Sequence, residues 1–112
     1  MRSAYDDVAK DALFPRKRGV LSKSNKYFAI AEVKDFSAEE VRQLRLRLRL
    51  STSLFASLFA VSEHTVEAWE RGVNTPSGPA RRLMTMLTVY PDILIETRTV
   101  LQTTGRDTQS RL

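Results

Sequence analysis

Cysteine is absent from the 112 residues, which removes both a disulfide framework and a thiolate metal site. Histidine occurs once, at His64, so neither a multi-histidine metal site nor a histidine–carboxylate set at metal-ligand spacing can be assembled. Glycine is scarce, and none of the four forms a phosphate-cradling loop. No apolar run approaches the roughly 20 residues of a membrane span. The opening "MRSAYDDVAKDA" is acidic in its first turn and has no signal-peptide core. These absences argue against an enzyme, a metal or cofactor protein and a membrane protein. The expectation is a cytoplasmic chain that works by binding.

What is present fits one small domain with a modest core. Apolar residues make up 42%, charged residues 28%, and the formal net charge is +5. A basic balance permits a polyanionic partner such as nucleic acid but does not require one.

The N-terminal third reads as an arm. Tyr5, Val8, Ala9, Ala12 and Leu13 share one helical face, and Pro15 stops the pattern. "RKRGVLSKSNK" has no periodicity and reads as a linker, with its basic run at 16–18 as an alternative nucleic-acid contact. "YFAIAEV" (27–33) has strand composition but no evident partner, and a lone strand is unstable in water.

From Ser37 the character changes. "SAEE" is a capping box, with Ser37 as N-cap and Glu40 three residues on. The run "LRLRLRL" (44–50) alternates as a strand would, yet Val41, Leu44 and Leu48 keep helical spacing and the box opens a helix. The reading is a helix over about 38–48, with Leu46 left as an exposed apolar residue or a partner contact. Ser51 caps a second helix (about 52–59) and Ser62 a third (about 63–70), with Val66 and Trp69 inward. Gly72 suits the left-handed position after it. Pro79 fits the first turn of a fourth helix, about 79–89. Pro91 begins a fifth that ends near Leu101, followed by a polar tail over 102–112.

Two helices of about eight residues are marginal alone. Joined by Ala60-Val61-Ser62 and packed on a third, they make a helix-turn-helix, whose second helix can enter the DNA major groove. "AVSEHTVEAWERG" has the required arrangement, with Val61, Val66 and Trp69 inward and Glu63, His64, Thr65 and Glu67 outward.

The stretch "VRQLRLRLRLSTSLFASLFAVSEHTVEAWERGVNTPSGPARRLMTML" resembles the Cro/C1-type (XRE) helix-turn-helix family and, more narrowly, HigA-type antitoxins. The likeness rests on V-S-x-x-T-V-x-x-W-E-x-G, then P-x-G-x-A, and spans roughly residues 37–101. It implies an all-α, five-helix, lambda repressor-like domain over 37–101, an arm over 1–36 and a flexible tail over 102–112. It also implies roles. Glu63, His64, Thr65, Glu67 and Ala68 would read bases, glutamate accepting from cytosine N4 and alanine touching a thymine methyl. Ser51, Thr52, Ser62, Arg71 and Asn74 would hold phosphates. Ile93, Leu94 and Val100 would form a homodimer surface, so that two copies read a palindromic operator. Three positions depart from it: Arg49 and Ala60 stand where the family commonly has glycine, and Thr52 where glutamine is common. An alanine forced to positive φ costs about 1 kcal/mol.

The arm separates two readings. A plain repressor does not need 36 residues before its domain, whereas an antitoxin needs a surface away from the DNA to hold its toxin. Tyr5, Val8, Leu13, Tyr27, Phe28 and Ile30 are the candidate contacts with a RelE/HigB-like ribonuclease toxin, through helix-in-groove or added-strand binding. The alternative is a stand-alone repressor, chromosomal or phage, whose arm serves dimerisation. A structural RNA-binding role suits the charge but lacks any RNA-module signature.

Overall fold

The computed structural model describes residues 21–103. The chain divides into two compact units, one running to Val33 and the other beginning at Lys34. Tyr5, Val8, Leu13 and the basic run at 16–18 lie outside the described residues.

In the first unit, β1 (Leu21–Ser24) pairs antiparallel with β2 (Ala29–Ala31). The register matches Ser24 with Ala29, Lys23 with Ile30 and Leu21 with Ala31. Ser22 is therefore an extra residue, a bulge in β1. Asn25 makes the reversal. Its N–H donates to the Phe28 carbonyl at 2.8 Å, and its side-chain Oδ1 accepts from the N–H groups of Tyr27 and Phe28, each at 2.8 Å. This corrects two expectations: the strand is not alone, and its partner is the segment read as a linker. The turn is driven by an asparagine side chain in "SNKY" rather than by an Asn-Gly pair, so the usual hairpin signal was missing.

The second unit is a five-helix bundle: α1 (Ala38–Arg47), α2 (Thr52–Phe59), α3 (Glu63–Glu70), α4 (Gly78–Val89) and α5 (Ile93–Glu96). The first four all start at a serine N-cap. Ser37, Ser51, Ser62 and Ser77 each accept the backbone N–H three residues on. At α1 the box is complete, since Glu40 also accepts the Ser37 N–H at 2.9 Å. That bond, with the Lys34 ammonium at 3.3 Å, holds the Glu40 carboxyl below its usual pKa.

The helix ends share a motif as well. After α1, Leu50 N–H reaches the Arg45 carbonyl and Arg49 N–H that of Leu46. The same nested pair recurs at Val61 and Ala60 after α2, at Val73 and Gly72 after α3, and at Thr99 and Arg98 after α5. Each is a Schellman closure turning on a left-handed residue. Only Gly72 (φ 76°) is glycine; Arg49 (φ 62°), Ala60 (φ 58°) and Arg98 (φ 61°) carry side chains there.

The core is built from Phe36, Val41, Leu44, Leu50, Phe55, Ala56, Val66, Trp69, Ala80, Met84, Leu87 and Leu94. Fully burying a side chain such as Phe55 or Met84 contributes about 1.5–3 kcal/mol. The alternating run resolves as a helix followed by its cap. Leu44 and Leu50 are buried, Leu48 is half-buried, and Leu46 is exposed. Arg47 donates to the Thr88 carbonyl at 2.9 Å, satisfying an acceptor in the last turn of α4.

The fifth helix is shorter than expected. It closes at Glu96, not near Leu101, because Arg98 turns left-handed and Thr97 bonds back to the Ile93 carbonyl at 2.6 Å. Thr and Val over 97–100 are weak helix formers that offered little resistance.

Candidate nucleic-acid interface

The unit formed by α2 and α3 is the most distinctive part of the surface. Its turn is only Ala60-Val61-Ser62, and the left-handed Ala60 makes the reversal that short. Aromatic contacts then fix the two helices together. The Phe59 ring lies 5.9 Å from Trp69, edge to face, and 4.8 Å from Phe55. Val66, Ala68 and Trp69 commit the inner face of α3 to the core.

The opposite face is open. Glu63, His64 and Glu67 are exposed and Thr65 is half-buried. Ser62 Oγ accepts from Thr65 N–H at 3.1 Å and lies 2.9 Å from Thr65 Oγ1, so these two hydroxyl groups are held together at the helix start. Arg71 and Asn74 follow, both exposed. Ser51 is exposed and Thr52 half-buried at the start of α2, with Ser51 Oγ accepting from Leu54 N–H at 3.1 Å. Serine caps keep a hydroxyl proton that can still donate to a phosphate oxygen.

Ala68 does not belong with the base-reading set. It is only 5% exposed and packs inward beside Trp69, so it cannot present a methyl to a groove. Leu94 likewise is not a surface for a second copy: it is a core residue. Ile93 and Val100 are half-buried and pack against that core. On the hairpin, Tyr27 and Ile30 are more than half exposed and Phe28 is exposed as well.

One pair escaped sequence reasoning. Arg45 Nε and Nη2 donate to the two carboxylate oxygens of Glu70 at 2.6 and 3.1 Å, and Nη1 donates to the Leu50 carbonyl at 3.2 Å. Both side chains are about one-seventh exposed. The Glu70 carboxylate raises the pKa of Arg45 further above its usual value. The clamp ties the end of α3 to α1 and to the α1–α2 turn. No local pattern announces a partnership 25 positions apart.

The face that α3 presents is unusual in charge. "EHTVEAWE" contains three glutamates, one histidine and no lysine or arginine. Basic groups lie around it, with Arg42 and Arg71 lining a shallow depression together with Glu67 and Glu70.

An all-α bundle with two short helices, a three-residue turn and an outward second helix is consistent with a Cro/C1-like helix-turn-helix fold. No family model matches the chain. The chain is similar to antitoxin HigA-2 of Vibrio cholerae serotype O1 (strain ATCC 39315 / El Tor Inaba N16961), with 32% identity over 60 residues covering 54% of this chain. The matched region spans 58% of the length of that relative. Among the described residues, no helix is long and apolar enough to cross a membrane.

Proposed function

We propose that this protein is a DNA-binding antitoxin that represses its own operon and neutralises a RelE/HigB-like toxin. In this reading it binds rather than catalyses. Two copies place α3 in successive major grooves of a palindromic operator, and residues 1–36 hold the toxin. The observation that carries it is the two-sidedness of α3. Val66 and Trp69 are locked inward while Ser62, Glu63, His64 and Glu67 are exposed, with Thr65 half-buried among them. A short helix held this firmly and exposed this fully suits insertion into a groove. The likeness to HigA-2 supports the antitoxin half.

Capture of the tagged protein from its host, followed by mass spectrometry, tests that half. Recovery of a small basic ribonuclease-like protein in near-equal amount supports an antitoxin. Recovery of DNA and itself alone favours a stand-alone repressor. Duplex binding measured between 50 and 200 mM salt tests the other half: affinity falls steeply if phosphates are neutralised, and a salt-independent affinity argues against it.

A further inference from the structure

A protein that grips DNA must neutralise phosphates, and α3 brings three glutamates and no lysine or arginine to that task. The helical unit also engages several of its cations internally. Arg45 holds Glu70 at 2.6 Å, Arg81 holds Asp35 at 3.0 Å, Lys34 holds Glu40 at 3.3 Å, and Arg47 donates to the Thr88 carbonyl. A denser store of positive charge lies earlier in the chain. From residue 12 to residue 31 the sequence carries Arg16, Lys17, Arg18, Lys23 and Lys26 and no carboxylate.

Lys23 and Lys26 belong to the turn end of the β1–β2 hairpin. Both are exposed, and neither forms an ion pair among the described residues. Lys26 Nζ lies 5.4 Å from the centroid of the Tyr27 ring, which is itself 70% exposed, so the ring backs the ammonium without burying it. The backbone donors of the turn are already occupied, since Asn25 Oδ1 accepts the N–H groups of Tyr27 and Phe28. What the tip offers a partner is therefore its ammonium groups. Glu32 follows β2 at the opposite end of the hairpin. A cationic tip with no acid in its own sequence complements a polyanion, and it would repel a basic toxin. Resting on the DNA-binding reading above, we propose that the hairpin tip is a second, sequence-independent contact with duplex DNA, Lys23 and Lys26 each holding a backbone phosphate. Such contacts add affinity and carry no sequence information. The tip supplies attraction that α3, with its carboxylates, does not, and the rest of residues 1–36 is left to the toxin.

The test measures binding of the full chain to duplexes of unrelated sequence between about 50 and 200 mM salt. It compares wild type, the pair Lys23→Gln with Lys26→Gln, and the pair Lys23→Arg with Lys26→Arg. The glutamine pair should weaken every duplex by a similar factor and lower the salt slope by about two. The arginine pair should keep the wild-type slope. Selection from a randomised duplex library should return the same motif for all three proteins. Both positions are exposed, so thermal melting should not move. A glutamine pair with the wild-type slope would overturn the proposal while leaving DNA binding intact. So would a glutamine pair that binds DNA as wild type does but captures less toxin, which would give the tip to the protein partner. No duplex binding by wild type would overturn the DNA-binding reading and this proposal with it.

Discussion

Arg45 and Glu70 meet through two parallel hydrogen bonds across 25 positions of sequence, and the same guanidinium reaches the carbonyl of Leu50. One side chain thereby joins α1, the turn after it and the end of α3. Removing one partner leaves a shielded charge unpaired, which is more costly than losing both. Glu70→Ala should lower stability by roughly 3 kcal/mol. The double change Arg45→Met with Glu70→Leu should cost clearly less. Urea unfolding of wild type and the two variants checks this, and a double variant that loses as much as Glu70→Ala, or more, would show that the unpaired Arg45 charge carries no extra penalty.

The left-handed closures give a second prediction. A side chain at positive φ costs about 1 kcal/mol relative to glycine. Ala60→Gly and Arg49→Gly should each stabilise by about that amount, raising the melting temperature by several degrees. Gly72→Ala should do the reverse. Its new Cβ would meet only Ala38 Cβ at 3.9 Å, an ordinary contact, so the loss is one of backbone alone. Calorimetry on the three variants decides it, and a destabilised Ala60→Gly would contradict the assignment.

Acid should act through Glu40. Its carboxyl titrates below the ordinary range because the Ser37 N–H and then the Lys34 ammonium favour the ionised form. A group whose folded pKa is depressed stabilises the fold above its unfolded value, and that stabilisation is lost as pH falls through the folded value. Stability should therefore decline on acidification below about pH 4.3, and Glu40→Gln should flatten part of that decline. A wild-type and variant pair with parallel pH profiles would remove Glu40 from the account.

The corrected place of α5 can be checked with neighbouring residues. Leu94 is in the core and Ile95 is mostly exposed. Leu94→Ala should cost about 2–4 kcal/mol, whereas Ile95→Lys should stay within about 0.5 kcal/mol. Sedimentation of Ile95→Lys then asks whether this flank joins two copies, without the confusion of a damaged core.

Helix starts were legible because a serine cap is a local device: Ser37, Ser51 and Ser62 each announce themselves before an apolar face. Trp69 was equally plain, since its spacing from Val66 gives one face. Helix ends were harder. Gly72 signals its closure, but no residue type around Arg98 does, so the stretch from Pro91 to Leu101 reads as a longer helix than α5. Ala68 was misplaced for a related reason. How far round α3 the buried stripe extends depends on how α3 docks, which spacing alone does not settle. The Asn25 turn was hidden because its chemistry lies in a side chain rather than in a familiar pair of letters.

Serine at four helix starts and the same closure at four helix ends also bear on how this chain tolerates change. Punctuation of this kind is written separately from content. Exposed positions within a helix can drift through many substitutions while its boundaries stay where the caps put them. Sliding a helix by a single residue would forfeit a cap and turn a buried side chain to water together. The outward face of α3 can then be rewritten without renegotiating where α3 begins.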